Sequence, residues 1–243
     1  MKIVIVGGVA GGASAAARAR RLDEKAEIIL LQSGPDVSFA SCGMVRFDRM
    51  PSAFVFCYVP SSNLCAFIIL QPYFIGGEIK DRNVMAVQTP ASLKARLNLD
   101  VRVNTKVTKI DTEKQSVVCN NEKGEVYDES YDQLILAVGA APLKPPIPGI
   151  DRPGLFSLRN LQDMDAIVAW IDKKKEKYPK MHCVVAGAGF IGLEMVEQLV
   201  NRGLDVSLVE LQKQILGPMD IGKSLDWLAH PPNMICLSYT QNL

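Results

Sequence analysis

Two glycine-rich turns and one cysteine are the parts of this chain whose residue types and spacing could do chemistry. The turns occupy residues 7–13 and 187–192, and Cys42 lies between them in the sequence, within residues 38–43. Glycines in such a turn let backbone N–H groups approach a pyrophosphate at a helix N-terminus, where the dipole favours negative charge. Most cysteines are small buried apolar residues. The position of Cys42 between two nucleotide turns instead favours a thiol that receives electrons from a nucleotide-bound cofactor.

The second turn carries the stronger of the two signals. A strand over residues 182–186 precedes it, a helix follows, and the next strand ends at Glu210, 23 residues after the first glycine. A carboxylate at that place binds the hydroxyl groups of an adenosine ribose. All three glycines of the G-x-G-x-x-G pattern are present. The predicted cofactor-binding residues are Gly187, Gly189, Phe190, Ile191, Gly192 and Glu210.

The first turn departs from the same pattern at two positions. Val9 stands where the middle glycine is expected, and Gln32 stands where the ribose-binding acid is expected. An amide can hydrogen-bond a hydroxyl group, but it lacks the charge that strengthens the bond of a carboxylate. The flanking strand and helix still favour a nucleotide site over a ligand-free turn. The predicted cofactor-binding residues here are Gly7, Val9, Ala10, Gly11, Gly12 and Gln32.

Hydrophobic patterning supplies the elements that hold these residues. Residues 3–6 and 28–31 are β-branched or leucine runs typical of parallel strands buried on both faces, with an alanine-rich helix over 14–22 between them. Residues 101–127 alternate as an antiparallel meander, and residues 134–138 form another buried strand. We expect a helix over 89–97 with Thr89-Pro90 at its start, and another over 163–177. The repeat of strand, glycine turn, helix and strand predicts an α/β protein with two dinucleotide-binding domains.

Composition limits the functional classes. The chain has 243 residues, 48% of them hydrophobic and 22% charged, and a formal net charge of +1, which gives no electrostatic case for binding nucleic acid or an anionic membrane. Six scattered cysteines and two histidines make a metal site improbable. The N-terminal apolar run is too short for a signal peptide. We therefore expect a cytoplasmic protein with no metal.

Residues 45–71 do not fit the pattern around them. No charged residue occurs between Met50 and Leu70, and two apolar runs flank residues 60–63. Pro60 and Asn63 interrupt the run, so a transmembrane helix of about twenty apolar residues is excluded. A hairpin with a polar turn fits this pattern. We interpret the segment as an insertion foreign to the fold, and together with the unrelated tail it resembles translated non-coding sequence or a truncated gene model.

The motifs taken in order resemble the pyridine nucleotide-disulfide oxidoreductases with a single redox cysteine, above all the coenzyme A-disulfide reductases and the related NADH oxidases and persulfide reductases. The resemblance covers residues 1–44 and 72–220. It implies two Rossmann-like domains of the three-layer FAD/NAD(P)-binding fold, the second incomplete. The expected boundaries are 1–148 for the FAD-binding domain with its insertion at 45–71, 149–220 for a partial NAD(P)-binding domain, and 221–243 for a divergent tail without helical or strand periodicity.

The resemblance also implies roles for particular residues. FAD occupies the first turn, with further contacts from Val107, Ala137, Val138 and Gly139, and NAD(P)H occupies the second. Cys42 is the catalytic thiol, and a small-molecule disulfide lies near Arg21, Ser38 and Ser41. Relatives specialised as oxidases carry a histidine in the first glycine loop, where this chain has Val9-Ala10. The family pairs as homodimers through a C-terminal domain that we expect to be missing here.

The sequence leaves three hypotheses of function open. The leading one is a reductase that moves electrons from NAD(P)H through flavin to a disulfide linked to Cys42. The alternatives are an NADH oxidase and a nucleotide-binding remnant that has lost turnover. Departures from the family pattern at Gln32, the insertion, and the expected truncation all favour weak flavin retention by the chain as written.

Overall fold

The computed structural model describes residues 1–39, 43–46, 65–68, 70–212, 214–217 and 234–238. The chain divides into two units. Unit 1 comprises residues 1–40 and 83–143, and unit 2 comprises residues 41–82 and 144–243. The domain boundaries expected from the sequence stay predictions.

Unit 1 is built on a parallel sheet of four strands in the order β5 (Asp100–Arg102), β2 (Glu27–Leu31), β1 (Lys2–Val6) and β9 (Gln133–Leu136). Helix α1 follows β1, a 3₁₀ turn over Arg82–Met85 precedes helix α3, and strands β6, β7 and β8 form a separate antiparallel meander. The bounds are β1 Lys2–Val6, α1 Ala10–Leu22, β2 Glu27–Leu31, α3 Pro90–Leu97, β5 Asp100–Arg102, β6 Lys106–Asp111, β7 Ser116–Asn120, β8 Val126–Ser130 and β9 Gln133–Leu136.

The core of unit 1 shows why β1 and β2 are apolar throughout. Ile3 and Ile5 pack in one cluster with Ala16 of α1, whereas Val4 packs in a second cluster with Val117 of the meander. Successive side chains of a strand point to opposite faces. The parallel sheet is therefore covered on both sides, in three layers, as the sequence predicted. The meander begins at Lys106 and not at Val101, because residues 100–102 join the parallel sheet beside β2.

Strand β9 is more exposed than its composition suggested. The sequence predicted a buried strand over 134–138, but the strand ends at Leu136, which is 55% exposed, and Val138 is 71% exposed. In the described part of the chain β9 is the last strand of its sheet, paired with β1 alone. An edge position leaves one side of a strand without neighbours, which accounts for the difference.

Unit 2 contains a parallel sheet of three strands in the order β10-β11-β12. The bounds are β10 His182–Ala186, α5 Phe190–Asn201, β11 Asp205–Glu210 and β12 Met234–Ser238, with α4 at Leu161–Lys175 and α2 at Leu70–Gly76. Strand β12 corrects the expectation of a tail without strand character. Its four apolar residues are too few to show a period, yet they pair in parallel with Val206–Val209 of β11.

The remaining elements of unit 2 concern the segment interpreted as an insertion. Strands β3 (Gly43–Arg46) and β4 (Cys65–Ile68) pair antiparallel, as a hairpin requires. The residues that would connect them lie outside the described part of the chain. Helix α2 begins at Leu70, so Gln71, which the sequence assigned to the insertion, is a buried helical residue. Helix α2 packs against α4 and α5.

Candidate dinucleotide-binding sites

The first turn needs glycine at Gly7 for two reasons. Its φ angle is +99°, a region that favours glycine. A Cβ atom there would also lie 2.1 Å from the carbonyl oxygen of Ala137, just beyond β9. The Gly7 N–H donates to the Leu31 carbonyl at 2.8 Å, which holds the turn over the end of β2. The turn thus lies at the carboxyl edge of the sheet, where ligands bind in open parallel folds.

Gly12 brings the first turn of α1 close to β1. A Cβ atom on Gly12 would lie 1.6 Å from the Gly7 carbonyl oxygen, so only glycine allows this approach. Helix α1 has Val9 as its N-cap, with no side-chain capping hydrogen bond and no acidic residue in its first turn. Its N-terminal partial positive charge is therefore available to an anion. Ala10 and Gly11, which open the helix, are exposed.

Gln32 is hydrogen-bonded to the first turn itself. Its Oε1 accepts from the Gly8 N–H at 2.8 Å, and its own backbone N–H donates to the Arg102 carbonyl at 2.9 Å. The side chain is half-buried. The residue that follows β2 therefore reaches the nucleotide turn even though it is an amide.

The other predicted flavin-contacting residues lie in two places of unit 1. The Ala137 N–H donates to the Val6 carbonyl at 2.7 Å, which keeps the end of β9 beside the turn, and Gly139 has a φ of +68°. Val138 is largely exposed. Val107 lies in β6, where the pairing with β7 shifts register. Their contacts with a flavin stay predictions.

The predicted substrate residues are described only in part. Arg21 is exposed in the last turn of α1. Ser38 has a φ of +47°. Its backbone is held on both sides, because its N–H donates to the Gly8 carbonyl at 2.8 Å and its carbonyl accepts from the Val87 N–H at 2.8 Å. A non-glycine residue held at positive φ marks a backbone that its surroundings determine. Ser41 and the predicted catalytic Cys42 lie outside the described residues.

The second turn repeats the backbone frame of the first. Gly187 has a φ of +100°, and its N–H donates to the Val209 carbonyl at 2.8 Å. A Cβ atom on Gly192 would lie 1.9 Å from the Gly187 carbonyl oxygen. Helix α5 starts after Gly189, whose N-cap position has no side-chain hydrogen bond. The positive φ, the hydrogen bond to the next strand and the close approach of the last glycine match those of Gly7 and Gly12, whereas a Cβ atom on Gly187 has no counterpart of the Ala137 contact within 4 Å in the described part of the chain.

Glu210 takes the place in the second turn that Gln32 takes in the first. Its Oε2 accepts from the Ala188 N–H at 2.6 Å and its Oε1 from the Gln212 N–H at 2.8 Å. Burial opposes ionisation of this carboxyl, but the backbone donors Gln212, Ala188 and Leu211 outweigh burial and hold the pKa of Glu210 below its ordinary value. A charged carboxylate is therefore fixed beside the turn.

The middle position of the fingerprint explains why Val9 is compatible with the fold. Around a Cβ atom built on Gly189, its counterpart, nothing of the described chain lies within 4 Å. A side chain at this position points into open space, so the fold does not require glycine there. Phe190 and Ile191, which follow Gly189, are 60% and 43% exposed and leave an apolar surface beside the second turn.

A charged network stabilises the sheet that carries the first turn. Glu129 of β8 contacts Lys2 of β1 at 2.5 Å and also bonds Arg102 of β5, which pairs with Asp100 at 2.6 Å. Burial opposes the charge on Glu129, but hydrogen bonds from Lys2 and Arg102 hold the pKa of Glu129 below its ordinary value. Burial likewise opposes the charge on Arg102, whose acceptors nonetheless raise its pKa. No periodic pattern in the sequence indicates this network, because its members come from separate strands.

The sequence also missed the partners of Gln32 and Glu210. The backbone N–H groups of Gly8 and Ala188, at the second position of each fingerprint, anchor those side chains. Their shared position in the repeat was the available signal. Among the residues that the structure describes, no cluster of three or more His, Cys, Asp or Glu could hold a metal. No helix in the same part of the chain is long and apolar enough to cross a membrane.

Comparison with known proteins assigns the family. The chain matches the family described as pyridine nucleotide-disulphide oxidoreductase over residues 1–226. The protein belongs to this family. FAD and a pyridine nucleotide are its standard cofactors, and both glycine turns fit such groups, since each has the close approach that a Cβ atom would fill.

Individual relatives refine the comparison. The chain is 35% identical over 220 residues to a coenzyme A disulfide reductase of Staphylococcus haemolyticus, covering 90% of this chain and 42% of that protein. It is 40% identical to the reduced CoADR-RHD of Bacillus anthracis, with a TM-score of 0.81, covering 98% of this chain and 38% of that one. An NAD-dependent persulfide reductase of A. fulgidus is 26% identical, also with a TM-score of 0.81, covering 99% and 40%. The chain therefore spans less than half the length of these relatives.

Proposed function

We propose that this chain is the nucleotide-binding part of an FAD-dependent reductase that passes electrons from NAD(P)H to a low-molecular-weight disulfide of the coenzyme A disulfide or persulfide class. The observation that carries the proposal is the duplicated turn. Each copy has a glycine at positive φ, a last glycine whose Cβ position is blocked by the carbonyl oxygen of the first, a helix N-terminus without a side-chain cap, and a side chain at the end of the next strand that is hydrogen-bonded to the turn.

The order of the two cofactors is the one that the resemblance to the family implies. We assign FAD to the turn at Gly7 and NAD(P)H to the turn at Gly187, where Glu210 is the ribose-binding carboxylate. When bound, the nicotinamide supplies a hydride and the flavin passes the electron pair to sulfur. The chain's own contribution is to hold the two dinucleotides through backbone N–H groups and to present Cys42 as the thiol that exchanges with the disulfide.

The basic end of α1 supports a substrate that carries phosphate. Arg21 is exposed there, and Arg18 is exposed one turn earlier on the same side of the helix. Two guanidinium groups at this spacing can bind a phosphorylated disulfide such as coenzyme A disulfide. Ser38, with its fixed backbone, and Ser41 complete the predicted substrate residues. A cytoplasmic location and a homodimer of the whole protein stay predictions.

The experiment separates nucleotide binding from thiol chemistry. The purified chain is kept in excess FAD throughout, because the sequence favours weak flavin retention, and NADH is added anaerobically while flavin absorbance and release of thiol from coenzyme A disulfide are followed. We expect Cys42→Ser to keep bleaching by NADH and to lose thiol release, whereas Cys119→Ser, which changes a buried cysteine of the meander, keeps both.

Two results would contradict the proposal. Thiol release at the parental rate in Cys42→Ser would show that Cys42 is not the redox thiol. If the parent chain bound neither FAD nor NADH, the two glycine turns would not be dinucleotide-binding sites. Oxygen consumption in place of thiol release, measured in a parallel assay in air, would favour the oxidase alternative.

A further inference from the structure

Gln32 and Glu210 occupy equivalent positions but present different chemistry. Each lies at the end of the strand that follows its turn and helix, and each accepts a hydrogen bond from the second residue of its glycine turn, Gly8 at 2.8 Å and Ala188 at 2.6 Å. Glu210 is ionised beside its turn. Gln32 brings no charge to its own turn, although its backbone frame is the same.

The orientation of the Gln32 amide follows from its partner. The Gly8 N–H is a donor, so the atom of Gln32 that faces it must be the oxygen Oε1. The nitrogen Nε2 is then the end directed away from Gly8, and it can only donate. Where Glu210 offers carboxylate oxygens to a ribose, Gln32 offers N–H groups.

The residues after Gln32 add no negative charge close to the ribose position. Ser33 is exposed, and Gly34 and Pro35 are uncharged. The first acid along this loop is Asp36, which is half-buried and engaged in an interaction of its own. A phosphate group placed at the ribose would meet amide and hydroxyl donors in the first turn and a carboxylate in the second.

We propose that the first turn binds an adenosine nucleotide whose ribose carries a 2′-phosphate about as well as one with a free 2′-hydroxyl, while the second turn discriminates against the 2′-phosphate through Glu210. A nicotinamide dinucleotide phosphate would then compete for the turn at Gly7. This inference rests on the proposed function, because it takes both turns to be dinucleotide sites.

The test uses the 243-residue chain with 5′-ADP and 2′,5′-ADP as probes. Nuclear magnetic resonance of the ¹⁵N-labelled chain reports the side-chain amide of Gln32, which is assigned by its loss in Gln32→Glu. Calorimetry gives affinities and stoichiometry for the same variants. Gln32→Glu keeps an oxygen for the Gly8 N–H, as Glu210 does for Ala188, so we expect its melting temperature to match the parent.

We expect both probes to shift the Gln32 amide signal in the parent, with affinities within about threefold. Repulsion between a carboxylate and a phosphate about 4 Å apart corresponds to roughly tenfold or more in affinity. Gln32→Glu should therefore weaken 2′,5′-ADP about tenfold and leave 5′-ADP within threefold. The mirror variant Glu210→Gln should gain a second 2′,5′-ADP site.

The outcomes that overturn the inference are distinct from those that overturn the proposed function. A Gln32 signal that responds to 5′-ADP but not to 2′,5′-ADP in the parent chain refutes the inference alone, as does unchanged 2′,5′-ADP affinity in Gln32→Glu. A Gln32 signal that responds to neither probe shows that the first turn is not a nucleotide site, and both ideas fail.

Discussion

Replacing Gly12 by alanine is the sharpest test of how the first turn is built. The new Cβ atom would start 1.6 Å from the Gly7 carbonyl oxygen and 2.8 Å from its carbon. Both are backbone atoms, so no side chain can rotate away to make room. To reach a contact of about 3.4 Å, α1 and β1 must separate by almost 2 Å, which removes the attraction between the layers they form.

The cost can be estimated from packing. Overpacking a core costs about 1–3 kcal/mol and more where backbone must move, and the Gly-to-Ala change returns about 1 kcal/mol of helix propensity. We expect a net loss of about 2 kcal/mol in unit 1. Ala16, buried in the same helix, and Ile5, buried in β1, lose part of their contact as the layers part. The helix N-terminus also moves relative to the phosphates that we propose it binds.

Gly11→Ala is the matched control. A Cβ atom on the neighbouring Gly11 would lie 3.6 Å from the Cβ of Ala137, an ordinary contact. We expect this variant to gain up to about 1 kcal/mol from helix propensity. Hydrogen exchange of peptides covering β1 and α1 measures the local opening free energy in each variant, and calorimetry measures affinity for 5′-ADP.

The reasoning is refuted by two results. Parental protection and parental affinity in Gly12→Ala would show that the close approach is not required. An equal loss in Gly11→Ala would show that any alanine in this turn is harmful, whatever space surrounds it.

Two further predictions follow from the charged residues. Glu210→Ala should bring the dissociation constants of NADH and NADPH to within a few fold of each other. The change removes both the carboxylate that we propose accepts from the ribose hydroxyls and its repulsion of the 2′-phosphate. An unchanged ratio of the two constants in fluorescence titration would contradict this. Glu129→Gln should lower the unfolding free energy of unit 1 by about 3 kcal/mol at neutral pH, since it breaks a largely buried pairing with Lys2 and Arg102. The folded pKa of Glu129 is lowered, so its stabilisation is complete above the unfolded pKa and is lost as pH falls through the folded value. The difference between parent and Glu129→Gln in urea denaturation should therefore shrink below about pH 4.5, and a difference that is constant with pH would refute the assignment.

The sequence predicted the parallel strands and the turns because their signals are local. The apolar runs at β1 and β2, the glycines after β1 and β10, and Thr89-Pro90 at the start of α3 each act within a few residues. The capping box between Thr89 and Ser92 is an example of such a local contact. Strand β12 was missed because a four-residue apolar run becomes a strand only through its pairing with β11.

The site could be predicted as a set of positions but not as a set of contacts. Glycine spacing identified Gly7, Gly12, Gly187 and Gly192 as residues of the two turns, and in the structure Gly7 and Gly187 have a positive φ while Gly12 and Gly192 approach them closely. Nothing in the spacing indicated that Gln32 would hydrogen-bond the turn. An amide at this position suggested only a ribose contact weaker than that of a carboxylate. Its contact with Gly8 depends on the length of the side chain and on the separation of β1 and β2, which are properties of the folded sheet.

The two turns together show that the same backbone geometry accommodates an amide in one copy and a carboxylate in the other. Gly7 and Gly187 make the same hydrogen bond to the adjacent strand at the same distance of 2.8 Å, although the residues between the glycines differ. Backbone groups and the absence of a Cβ atom determine that frame, so it is insensitive to the side chain that follows the second strand. Gln32 and Glu210 both satisfy the turn with one oxygen, and they differ in the remaining end of the side chain, which we propose faces the ribose. We therefore expect a single side-chain change at this position to alter nucleotide selection without altering the fold.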